Sequence, residues 1–198
     1  MVLFGLSAHR PSLLAPRIAG LALAAACIFW GVFSEQHPAK LLGLRRFARK
    51  RIALLPLCAI LGGGLAVYYR LVRGQPAALD AVTSVGAVCG VIGLAEELAY
   101  RGFVQGSVQA VTGSSLIACL AGGAAHAAYK CSLFVFVLPA NAVRANLFYL
   151  GTLTFGTGVL LGLARARWGS ILFAVAFHVA FDVVAYGDLH TLPWWVRP

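Results

Sequence analysis

Glu96, Glu97 and Arg101 place three formal charges within six residues, Glu-Glu-Leu-Ala-Tyr-Arg, in a stretch that is otherwise apolar. Positions 79–95 before them are almost wholly hydrophobic, and Gly-Phe-Val-Gln-Gly-Ser-Val-Gln-Ala follows. The chain as a whole is 61% hydrophobic and only 11% charged, against about 25% charged in soluble domains. These charges must therefore be tolerated in lipid, or in a helix bundle buried in lipid. An ionised side chain at a bilayer centre costs about 2.5–3.5 kcal/mol on insertion scales. Such a block persists only when its members pair, face inward or perform chemistry.

Helical geometry divides the three charges. Residues four apart share a face, whereas neighbours point about 100° apart. Glu97 and Arg101 are at i, i+4 with the acid on the N-terminal side, the favourable order for an ion pair. Glu96 is one step round and does not easily share that arginine. The spacing predicts Glu97 as the neutralised, structural carboxylate and Glu96 as the free one.

At 198 residues, the chain has room for about six spans of about 20 residues. The expected fold is all-α: a polytopic transmembrane helix bundle forming one integral membrane domain over 1–198, with no soluble domain between spans. The net charge of +10 comes from 16 basic and 6 acidic residues. Positive-inside loops and contact with anionic membrane lipid account for it. Nucleic acid is excluded as a partner, because binding it needs a basic face on a folded soluble module. Cys27, Cys58, Cys89, Cys119 and Cys131 contain no CxxC and read as small hydrophobes, not as disulfides or zinc ligands.

Taken in order, 12–33 is a first apolar run, read as a retained span and not a cleaved signal peptide. Lys40, Arg45, Arg46, Arg49, Lys50 and Arg51 face only Glu35 across 34–51, which places that loop in the cytoplasm and the N-terminus outside. The loop is either an interfacial amphipathic helix or a solvated basic segment. A second span over 52–72 ends in Tyr68, Tyr69, Arg70 and Arg73, which read as interfacial. A long helix over 78–111 exceeds the bilayer core and must tilt, protrude or break, with Gly102 and Gly106 the place for a bend. After a turn at 112–114, a short span over 115–129 carries His126. The apolar piece 133–138 within 130–145 is too short to span and reads as re-entrant. A span over 146–164 carries Gly158 and Gly162 in a GxxxG spacing, and Arg165, Arg167 and Trp168 mark the cytoplasmic interface. The last span, 169–187, carries His178 and Asp182, and Trp194 and Trp195 anchor the tail.

Three helices thus carry polar residues at depth, and a shared polar site follows: Glu96, Glu97 and Arg101; His126; His178 and Asp182. A buried carboxylate can serve as a general base near neutral pH. Imidazoles can orient a water or donate to a developing oxyanion. That set suits amide hydrolysis without a covalent enzyme intermediate. No serine sits in a GxSxG elbow, and HExxH is absent. Glu96, His126, His178 and Asp182 have the ligand types for a metal, but no spacing demands one, and no cofactor is expected.

Glu96-Glu97-x-x-x-Arg101 followed by Phe103-Val104-Gln105-Gly106, a histidine on the next span, and His178-x-x-x-Asp182 on the last resemble the CPBP family of CAAX proteases and bacteriocin-processing enzymes. The resemblance covers roughly 78–187. It implies an intramembrane glutamic endopeptidase, with Glu96 as the base that activates water, His126 assisting it, and His178 and Asp182 on the oxyanion side. Glu97 and Arg101 would hold the site together. The implied substrate is a membrane-associated protein or peptide; the short chain and its dense small-residue spans point to a bacterial cytoplasmic membrane, crossed several times. Two departures stand out. The family motif before the middle histidine is FxxxH, but Gly122 stands here, so the aromatic wall is missing or comes from another residue. Asp182 stands where the eukaryotic enzymes have asparagine. An ionised aspartate donates no hydrogen bond, so Asp182 is expected to orient His178 across i, i+4 while His178 donates alone. Two other functions remain open: a non-catalytic scaffold or immunity-type protein of the same fold, and a proton-coupled transporter.

Overall fold

The structure, a computed structural model, describes residues 51–72, 74–77, 83–137 and 140–188, without the side chains at 85, 133–137, 140–146 and 149. The first span, all but the last residue of the basic 34–51 loop, and the tryptophans of the tail lie outside these residues. Among the described residues there are helices and turns and no strand. The helices are α1 (Leu54–Val72), α2 (Ser84–Glu97), α3 (Gln105–Thr112), α4 (Ser115–Val137), α5 (Ala140–Trp168) and α6 (Leu172–Tyr186). Seven residues of π-helix, Leu98–Val104, join α2 to α3.

Among the described residues, α1 is the one helix both long and apolar enough to cross a membrane, and little of it is buried. Pro56 sits in its first turn, where no backbone donor is lost. Gly74, at φ 66°, ends the reversal that follows α1, and the Gly74 and Gln75 amides donate to Leu71 O and Arg70 O. Arg70, read from the sequence as interfacial, is buried in the protein. Its guanidinium donates to Pro76 O at 2.7 Å, Ala185 O at 3.1 Å and Asp188 Oδ1 at 2.6 Å. That clip fastens the end of α1 to the end of α6. At the opposite end, Arg51 Nη1 donates to Trp168 O at 2.9 Å. The start of α1 and the end of α5 therefore share one end of the bundle.

The long helix expected over 78–111 is present from Ser84 to Thr112, with Thr83 Oγ1 accepting from Gly86 N as its N-cap. It runs on through a π-helical segment, Leu98–Val104, that contains Gly102 but not Gly106. The π-helix adds a residue per turn, and four consecutive residues, Ala99, Tyr100, Arg101 and Gly102, turn inward. Gly113, at φ 69°, ends α3. The 115–129 span does not stop at 129. It continues unbroken to Val137, and α5 starts at Ala140, so the described part of the segment read as re-entrant, 133–137, is the end of α4. No glycine or proline interrupts 124–137, and an apolar run with no breaker simply propagates the helix.

α4 lies along α5, α1 lies along α6, and α2 packs on α6. Small residues set these distances. Cβ atoms at Gly86, Gly90 and Gly93 of α2 would strike Gly187, just past α6, and Val183 and Asp182 within it. Gly158 and Gly162, the GxxxG pair, pass against Gly123 and Cys119 of α4 and against the Arg101 and Gln105 side chains. The packing is inverted relative to a water-soluble fold. Arg101, Gln105 and Glu97 are among the largest fully buried side chains, while Ile60, Leu61, Val91, Phe148 and Leu160 are exposed. A bilayer reverses the usual rule: apolar surface faces the lipid, and charge pairs inside.

Candidate active site

Three helices deliver the polar residues near mid-length. Glu96 and Glu97 end α2 and Arg101 follows in the π-helix. His126 and Lys130 lie one turn apart on α4, and His178 and Asp182 one turn apart on α6. Glu96, Glu97, Arg101, His126 and Asp182 are all buried.

The Glu97–Arg101 pair forms as the spacing predicts, Oε1 to Nη1 at 3.0 Å, with both side chains buried. The same Oε1 accepts from His178 Nδ1 at 2.7 Å. Arg101 Nη1 also reaches His126 Nδ1 at 2.8 Å. One guanidinium nitrogen therefore links the α4 side of the site to the α6 side.

Glu96 is not the free carboxylate expected from the sequence. Its Oε2 is 3.0 Å from His126 Nε2 and 3.6 Å from His178 Nε2, and Oε1 meets Lys130 Nζ at 2.6 Å. Helix periodicity within α2 says nothing about a cation arriving from another helix, so this partner was invisible in the Glu-Glu-x-x-x-Arg motif. A signal did exist: a lysine in an apolar helix, four residues after His126 and so on the same face. Lys130 is also the most exposed of these paired side chains, at 19%, with His178 at 14% and Asp182 at 11%.

The expected i, i+4 hydrogen bond from Asp182 to His178 does not form. Asp182 Oδ2 is 3.7 Å from Nε2, beyond hydrogen-bond range, and Glu97 holds the ring through Nδ1 instead. The close packing of α2 on α6 at Gly93, where a Cβ would lie 2.9 Å from Asp182 Oδ2, brings Glu97 to His178 and decides this.

The aromatic wall comes from elsewhere. Tyr100 stacks on His126, with centroids 4.7 Å apart and planes at 14°, and Tyr129 lies 6.0 Å from Tyr100. At Gly122 a Cβ would sit 3.1 Å from Tyr100 O and 3.4 Å from Gln105 Cβ. The glycine is what lets the π-helix approach α4. Gln105, one turn past Arg101, is fully buried and donates to Gly162 O at 2.9 Å and Cys119 Sγ at 3.3 Å; sequence reading did not single it out as a site residue. Among the described residues no three His, Cys, Asp or Glu side chains form a group that could hold a metal ion.

Chemically, the arrangement offers a carboxylate gripped by two donors, a clamped imidazole beside it, and a second imidazole whose Nε2 lies near Glu96 and Asp182. Fold and site together define, over the described residues, an all-helical protein with an internal carboxylate–histidine centre. Over residues 77–184 the sequence matches the family described as type II CAAX prenyl endopeptidase Rce1-like, and with more than half of its length matched, the chain belongs to that family. No curated protein and no solved structure matches it. The family is one of CAAX-type membrane proteases acting on membrane-associated peptides or proteins, and the chain is accordingly a membrane protein.

Proposed function

We propose that the protein is an intramembrane endopeptidase that hydrolyses a peptide bond by glutamate-activated water, as one integral domain of about six spans in a bacterial cytoplasmic membrane. The observation that carries this reading is the placement of Glu96: a buried carboxylate between His126 and Lys130, with His178 Nε2 at 3.6 Å. Glu96 accepts a proton from water, and the hydroxide so formed attacks the scissile carbonyl. His178, held through Nδ1 by Glu97, donates from Nε2 to the oxyanion. Glu96 then returns its proton to the leaving amine, so one water is consumed and a carboxylate and an amine are released. His126 aims the Glu96 carboxylate, and Asp182 supplies negative charge beside the His178 ring. The substrate is a membrane-associated protein or peptide, and no cofactor takes part.

One observation favours a second reading, a non-catalytic membrane protein of the same fold. Both oxygens of Glu96 are engaged, one of them by a lysine, which is how a purely structural carboxylate is also satisfied. Replacing Glu96 with Gln in the native cell separates the two. Membrane and secreted proteins are compared with wild type for changed termini. A small set left uncleaved only in the variant supports the peptidase. Matching proteomes, alongside a phenotype on deletion of the whole gene, make the cluster structural.

A further inference from the structure

The two histidines are held by partners whose own chemistry dictates where the ring protons sit. A guanidinium has donors and no acceptor, so His126 Nδ1, 2.8 Å from Arg101 Nη1, must accept and carries no proton. The proton of a neutral ring is then on Nε2, which donates to Glu96 Oε2 at 3.0 Å. A second proton would point an N–H at the guanidinium. The ring cannot easily turn over, because it is buried and stacked under Tyr100.

His178 is held the opposite way. Glu97 Oε1 already accepts from Arg101 at 3.0 Å, so this oxygen carries no proton and can only accept. His178 Nδ1, at 2.7 Å, therefore donates to it. The other nitrogen, Nε2, faces Glu96 Oε2 at 3.6 Å and Asp182 Oδ2 at 3.7 Å. A bare lone pair pointed at two carboxylate oxygens is repelled; an N–H there is attracted. The charge balance of the cluster agrees. Glu97 pairs with Arg101, Glu96 with Lys130, and Asp182 lies beside His178; with the three carboxylates ionised, one further positive charge, on His178, makes this buried group neutral.

We propose that Arg101 is a positioning residue that assigns the protons of both histidines, directly at His126 and through Glu97 at His178. His126 is the neutral Nε2–H form, and His178 carries a proton on each nitrogen. The mechanistic consequence rests on the glutamate-base reading: His126 presents no lone pair to a substrate water, so Glu96 alone takes its proton, and His178 is already charged to receive the oxyanion. The proton assignment itself stands independently of any activity.

The test is nitrogen-15 NMR of histidine-labelled full-length protein in micelles, with His9, His37 and His190 replaced by Gln so that two rings remain. Near neutral pH, one ring should give a protonated Nε2 and a bare Nδ1, and this pattern should vanish in His126→Gln. The other should show two protonated nitrogens and vanish in His178→Gln. In Arg101→Met, the Nδ1–H form of His126 should rise from undetectable to a population comparable with Nε2–H, and Arg101→Lys should restore the single form. Wild-type His126 as Nδ1–H or doubly protonated, or a neutral His178, overturns the proposal, and this holds even if the Arg101 variants do not fold. The peptidase reading fails separately, through cleavage by Glu96→Gln, with the ring protons as assigned.

Discussion

Removing Arg101 should unfold this protein more readily than removing any surface charge, and the structure sets the size of the effect. The Arg101–Glu97 contact is 3.0 Å long with 1% and 0% of the two side chains exposed. At an effective dielectric of about 20, Coulomb attraction at that range is about 5–6 kcal/mol. Desolvation offsets much of it in the intact pair, but breaking a buried pair leaves one charge uncompensated and costs about 3–5 kcal/mol. An exposed pair would be worth about 0–1 kcal/mol. In Arg101→Met, Glu97 retains only His178 as a donor, since its Oε2 has no hydrogen-bond partner, and His126 Nδ1 loses its donor as well. A loss of about 3–5 kcal/mol is expected. In Glu97→Gln a carbonyl oxygen can still accept from both Arg101 and His178, so the loss should be smaller, about 2–3 kcal/mol. The double variant should cost less than the two losses added, with a coupling of about 2–3 kcal/mol. Reversible unfolding in mixed micelles measures all three. Single losses below about 1 kcal/mol, or strict additivity, would refute the view that this pair is buried and mutually compensating.

Two further outcomes follow from the packing. Gly122→Phe, which restores the family's aromatic at that position, should yield little folded protein, and Gly122→Ala should lose about 1–3 kcal/mol, because the new Cβ meets the Tyr100 carbonyl and the Gln105 side chain; thermal unfolding and folded yield in detergent report this, and a Phe variant as stable as wild type contradicts it. Arg70→Met should cost about 2–4 kcal/mol by stranding the buried Ala185 carbonyl and removing the ion pair with Asp188. Hydrogen exchange should accelerate at the end of α6 in that variant, and Asp188→Asn should do so more weakly because Asp188 is one-third exposed; unchanged protection at the end of α6 would show that the clip does not hold that end.

Local spacing determined much of this protein. The apolar runs fix helices, since among the described residues their backbone groups must be satisfied within each segment if the surroundings are lipid. The i, i+4 relation of Glu97 to Arg101 produces their ion pair, because both partners sit on one helix and no tertiary contact is needed to bring them together. Gly102 falls inside the π-helical segment Leu98–Val104 of the long helix, and Gly106 just beyond it. Contacts between helices were a different matter. Lys130 against Glu96, Glu97 in place of Asp182 on His178, Tyr100 over His126, and Arg70 turned inward onto Asp188 each join residues at least 20 positions apart. Periodicity gives the face a residue occupies but not which face of which neighbour it meets. That was decided by how closely α2, α4, α5 and α6 approach one another, at Gly93, Gly122, Gly158 and Gly162. A close approach turns a shared face into a hydrogen bond between particular atoms, and only the packed bundle fixes it.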